Sequence, residues 1–179
     1  MPSILVVDDD IKLRESMVVL LGEMMPGVTL LQVGCGQACL DLVQKQSVDV
    51  VVLDLGLPDM NGKAVLDTLR EIAPLTEVVI LTSSSEIKDA IYCLKHGARD
   101  FLQKPFDIEL LQHTIGNCLS AIQLRQENRQ LRQAIISAQQ RRQFVFGRSP
   151  VMQALEKLLE RAAPSDAAND WKSRMPSSA

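Results

Sequence analysis

Short apolar runs alternate along this chain with stretches whose apolar residues fall three and four apart. An apolar run bounded by turn formers reads as a strand buried on both faces, and three-and-four spacing as a helix with one buried stripe. Strands are therefore predicted at 4–7, 28–33, 48–54, 77–81 and 99–102. Helices are predicted at 12–24, 34–45, 63–72 and 86–95, with another beginning at Asp107. Leu13, Met17, Leu20, Leu21 and Met24 make the stripe of the first helix, and Ala38, Leu42 and Val43 that of the second. Asp10 is a suitable N-cap for the first, and Gly97 a suitable C-cap for the fourth.

Strand and helix alternating over about 118 residues predict a doubly wound (βα)5 parallel sheet with right-handed crossovers. With the common strand order 2-1-3-4-5, the first and third strands are neighbours at the switch point, and Asp8, Asp9 and Asp54 end in one crevice at the sheet's carboxyl edge. Three ionised carboxylates so close repel one another, and a hard divalent cation resolves this; Mg²⁺ suits an open loop-edge site. Asp10 and Asp59 are read instead as a cap and a turn former. Thr82 ends the fourth strand with a hydroxyl, and Lys104, held by the X-Pro bond to Pro105, follows the fifth with a cation. A carboxylate nucleophile, a metal, a hydroxyl and a lysine are the parts needed to accept a phosphoryl group.

Composition narrows the class. A net charge of -3 and a pI near 5.4 leave no overall footprint for nucleic acid or an anionic membrane. The four cysteines lack CxxC spacing and a nearby histidine, so packed, reduced thiols in the cytoplasm are expected rather than zinc. No signal peptide and no membrane span are expected. Gly56, Gly62, Lys63 and Ala64 imitate a phosphate-binding P-loop, but the spacing is one residue too long and no Ser or Thr follows the lysine.

The runs VVDDD, VVLDLGLPDMNG, VVILTSSS and DFLQKPF together resemble the receiver domain of two-component response regulators, over residues 1 to about 118. That resemblance implies a flavodoxin-like fold and no enzyme in the ordinary sense. It implies Asp54 as phosphoacceptor, with Mg²⁺ held by Asp8, Asp9, Asp54 and the Gly56 carbonyl. Thr82, Ser83 and Lys104 would hold the phosphate, and Thr82 and Phe101 would form the switch. The Lys104–Pro105 bond would be cis, as in the family. A histidine kinase is the implied partner. An interaction module with an idle pocket, or a phosphohydrolase with an aspartyl nucleophile, would share parts of this pattern.

The last helical stretch runs without proline from Asp107 to about Arg142, too long for a receiver's last helix alone. Ala121, Leu124, Asn128, Leu131, Ile135 and Ala138 follow a four-three pattern, which predicts a coiled-coil seam over 119–143 and a homodimer through the helix 107–143, the face around Phe101, or both. Six arginines oppose Glu127 over 119–148, and they are read as the solvated face of that helix rather than a nucleic-acid contact. Residues 144–168, with Gly147-x-Ser149-Pro150 and Ala163-Pro164-Ser165-Asp166, resemble the opening of the AAA+ domain of NtrC-type activators of sigma-54 RNA polymerase. The polar stretch 169–179 resembles nothing in that domain and is expected to be disordered.

Overall fold

The computed structural model describes residues 1–83, 87–148 and 154, with side chains placed as far as 137 within the last helix. The chain divides into two compact units, Met1–Arg125 and Gln126–Ala179. The first holds strands β1 (Ser3–Val7), β2 (Thr29–Val33), β3 (Val50–Asp54), β4 (Glu77–Thr82) and β5 (Asp100–Gln103). Between them lie α1 (Ile11–Met24), α2 (Gly36–Lys45), α3 (Gly62–Ile72) and α4 (Ile87–Lys95), and α5 (Ile108–Arg148) follows. All strands are parallel, in the order β2-β1-β3-β4-β5. Alternation along β3 divides the core: Val51 and Leu53 pack with α2 and α3 residues on one face, Val50 and Val52 with α1 and α5 residues on the other. That is the two-sided burial expected of this run.

Local chemistry explains most boundaries. Asp10 caps α1, its side chain accepting from the Lys12 and Leu13 amides at 2.9 and 3.2 Å. Gly97 has φ of +91°, and the Ala98 and Gly97 amides donate to the Cys93 and Leu94 carbonyls, closing α4 in a Schellman turn. Two stripes differ from expectation. In α1 only Met17 and Leu21 are buried, against Ile4, Val6 and Val50, and Leu20 is 40% exposed, so the buried arc is narrower than the spacing suggested. In α2 the buried residues are Gly36, Cys39, Leu40 and Val43, since Gly36 packs against Met60 and Val65 where a Cβ would have no room. Burial pushes the Cys39 thiol up to about 12 and that of Cys118 to about 11, and all four cysteines are free.

α5 continues past the expected end near Arg142, to Arg148. On it Leu124, Leu131 and Ile135 are 61%, 64% and 58% exposed, so these three seam positions are open in the single chain. Most of the stretch expected to open a second domain, and all of the expected tail at 169–179, lie outside the described residues. Among the described residues, no helix is long and apolar enough to cross a membrane.

Candidate acidic site at the carboxyl edge

β1 and β3 are hydrogen-bonded neighbours, so the residues that leave their carboxyl ends arrive side by side. Asp8, Asp9 and Asp54 can each present an oxygen within 4.8 Å of the others. Asp8 is fully buried and Asp54 is 5% exposed, while Asp9 faces solvent. Buried carboxylates need partners, and these have several. The Asp10 amide donates to Asp8 Oδ1 at 2.9 Å, and the Gly56 amide donates to Asp54 Oδ1 at 3.1 Å.

Lys104 joins the two buried acids. Its Nζ donates to Asp8 Oδ2 and to Asp54 Oδ2, each at 2.7 Å, and its side chain is 16% exposed. Burial works against the ammonium, but the two carboxylates outweigh it and raise the lysine above its ordinary range. The Lys104 amide donates to the Thr82 carbonyl at 2.8 Å, which ties its backbone to the end of β4; the Lys104–Pro105 bond is cis, as expected. Thr82 is 4% exposed at the end of β4, and Thr82 and Ser83 border a cavity next to Asp54. Phe101, on β5, is 36% exposed. The predicted residues thus converge at one edge, apart from Phe101, which lies on the outer strand with its ring turned partly to solvent.

Three contributors were missed in the sequence. Arg14, one turn into α1, donates to the Asp8 carbonyl and lies 3.1 Å from where a Cβ on Gly34 would be, fixing the acidic turn from below. Its only sequence signal was a cation one turn after Asp10. Asp59 does more than form a turn: its carboxylate accepts from the Gln37 and Gly36 amides at 2.8 and 2.9 Å, capping α2 from 22 residues away. Those amides hold Asp59 below the usual carboxylate range. Gly62 is required by close approach rather than by its turn, since a Cβ there would stand 2.5 Å from Leu55 Cα and 2.7 Å from the Asp54 carbonyl oxygen.

This donor set fits Mg²⁺: hard oxygens, one of them exposed, with more negative charge than a single lysine offsets. It also fits phosphoryl chemistry, because a carboxylate nucleophile lies against a cation and beside a hydroxyl.

Comparison with known proteins agrees with this geometry. Residues 4–116 match the response regulator receiver domain family. The regulatory protein LuxO of Vibrio cholerae is 32% identical over 135 residues, which are 75% of this chain and 28% of that protein. The beryllofluoride-activated NtrC4 receiver domain dimer superposes with a TM-score of 0.64 at 28% identity, over 68% of this chain and 99% of that one. NtrX from Brucella abortus, solved in complex with ADP, superposes with a TM-score of 0.67 at 27% identity, over 92% of this chain and 35% of that one. The chain spans about a third or less of the length of the curated relatives it matches. With the order β2-β1-β3-β4-β5 and the acidic cluster at its switch point, the chain belongs to the receiver domain family of two-component response regulators.

Proposed function

We propose that Asp54 is the phosphoacceptor of a response regulator that takes a phosphoryl group from a histidine kinase. The observation that carries this reading is the pair of 2.7 Å bonds from Lys104 to Asp8 and Asp54, with Asp9 beside them. Asp54 attacks the phosphorus of the phosphohistidine, the P–N bond breaks, and its electron pair stays on the imidazole. Asp8, Asp9, Asp54 and the Gly56 carbonyl would hold Mg²⁺, which when bound neutralises phosphoryl oxygens. Lys104 exchanges one carboxylate contact for the phosphoryl group, and Thr82 and Ser83 donate to its oxygens. Charge added at Asp54 drives a change only if another arrangement binds it better. Thr82 drawn toward the phosphoryl group leaves space that the half-turned Phe101 can fill, which alters the face of α4, β5 and α5.

The chain is further read as the regulatory part of a cytoplasmic NtrC-type transcriptional activator, whose ATPase domain would begin within 144–168. NtrC4 and NtrX, named above, support that context. Homodimerisation through the helix 107–143, the face around Phe101, or both, is supported by the outward-facing Leu124, Leu131 and Ile135.

Acetyl phosphate with Mg²⁺ tests the core of this reading. The wild-type chain should gain one phosphoryl group by intact mass, and Asp54→Asn should gain none while keeping its circular dichroism. Stoichiometric labelling of the folded variant would overturn the assignment.

A further inference from the structure

A cavity of about 260 Å³ beside Asp54 contains a second cation that the phosphoacceptor reading does not use. Gly56, Thr82 and Ser83 line it with Asp54 on the strand side, and Lys63 and Asp89 line it on the helix side. Lys63 is the second residue of α3, and its Nζ donates to Asp89 Oδ1 in α4 at 2.6 Å. Both side chains are partly open to solvent, at 30% and 24%.

This ammonium is held in place by more than its ion pair. It lies 5.1 Å from the centroid of the Tyr92 ring, and the Tyr92 hydroxyl donates to Asp67 Oδ2 at 2.8 Å. His96 stacks on Tyr92 with centroids 3.8 Å apart, and its Nδ1 lies 2.7 Å from Asp67 Oδ1. Lys63 and Asp67 are four apart on α3, Asp89 and Tyr92 are three apart on α4, and His96 follows just past its end, so one ladder joins the two helices. Hydrogen bonding to Asp89 raises the lysine, which keeps it charged at neutral pH.

A phosphoryl donor must bring its own negative charge to a pocket already walled by carboxylates. Lys104 bridges Asp8 and Asp54 and does not line this cavity, whose lining cation is Lys63. We propose that Lys63 is a specificity-determining residue for the donor: in this cavity its ammonium leaves Asp89 and pairs with the leaving carboxylate of a small acyl phosphate. The inference rests on Asp54 being the phosphoacceptor. As Asp54 attacks phosphorus, the P–O bond to the acyl group breaks and its electron pair departs on the carboxylate. Lys63 stabilises that charge, no proton is transferred, and Asp89 recovers the lysine when the carboxylate leaves.

The test measures labelling rates of the full chain with Mg²⁺ against concentration of acetyl phosphate, which releases an anion, and phosphoramidate, which releases neutral ammonia. Lys63→Ala should raise the half-saturating acetyl phosphate concentration about fivefold with a smaller change in maximal rate, and should affect phosphoramidate less. Lys63→Arg should restore most of the loss, and Asp89→Asn, which releases the lysine, should lower the half-saturating concentration. A readout independent of turnover comes from Tyr92, the one tyrosine of the chain. Its ring resonances should shift when acetonylphosphonate, an unreactive mimic of acetyl phosphate, is added to wild type and stay put in Lys63→Ala. Equal half-saturation in wild type, Lys63→Ala and Asp89→Asn, or equal losses for the two donors, would overturn the role of Lys63 while leaving the phosphoacceptor intact. An unlabelled wild type would overturn both.

Discussion

The two ends of the sheet both bury carboxylates, and they settle the charge in opposite ways. At the amino edge Glu77, 5% exposed at the start of β4, meets the Arg125 guanidinium from α5, with Arg70 also close enough to act on it. Near it the Thr76 hydroxyl donates to the Val48 carbonyl at 2.7 Å and the Ser3 amide donates to Asp49 Oδ2 at 2.8 Å. At the carboxyl edge Asp8 and Asp54 share one lysine, and Asp9 stands beside them. A balanced pair asks for nothing more, whereas a surplus of negative charge asks for a cation. The difference marks the carboxyl edge, rather than the amino edge, as the candidate site.

Lys104→Met is the strongest way to break this comparison. It strands two buried carboxylates, and unfolding by urea should show a loss of about 3 kcal/mol without Mg²⁺, together with loss of the phosphorylated state's signature in solution. Glu77→Gln should cost about 1 kcal/mol in the same titration, less because Arg125 is 57% exposed and can return to water. A larger loss for Glu77→Gln than for Lys104→Met would reverse the ranking of the two edges.

Asp59 sharpens the contrast, because it meets two amides and no cation. Its carboxyl is held below the ordinary value of 3.8, so its contribution to stability is present above that value and is lost as pH falls through the depressed one. Asp59→Ala should therefore lower the melting temperature at neutral pH by a few degrees, and the difference from wild type should close as the pH falls through the depressed value. A difference that persists there would mean that packing, not charge, sets the effect. The smallest change is expected from Asp9→Asn. Removing an exposed member of the crowded cluster should raise the melting temperature by about 1–2 °C without metal and weaken the rise that Mg²⁺ gives wild type. Opposite signs for Asp9→Asn and Glu77→Gln are the clearest mark of the two edges.

Much of this was legible beforehand. The apolar run ending at Asp54 identified a central strand, and the order of strands and helices placed Asp8, Asp9, Asp54, Thr82 and Lys104 at one edge, where they stand. Sequence spacing misjudged faces where burial depended on a neighbour: Leu20 has helical spacing yet lies open, and Cys39 and Leu40 are buried although the stripe assigned to α2 left them out. Nor could it name the partners of Asp59, which lie 22 and 23 residues away.

What the sequence by itself determined is whatever depends on local pattern: strands from apolar runs, the Asp10 cap, the Gly97 stop, and the type and order of the residues at the strand ends. Period and capping act over a few residues and can be read along the chain. Tertiary structure alone decided the pairings between distant groups. Lys104 reaches Asp8 across 96 positions, Arg125 reaches Glu77 across 48, and Lys63 reaches Asp89 across 26. Each depends on which helix lies against which strand and on how far a flexible side chain extends, and no local periodicity records that.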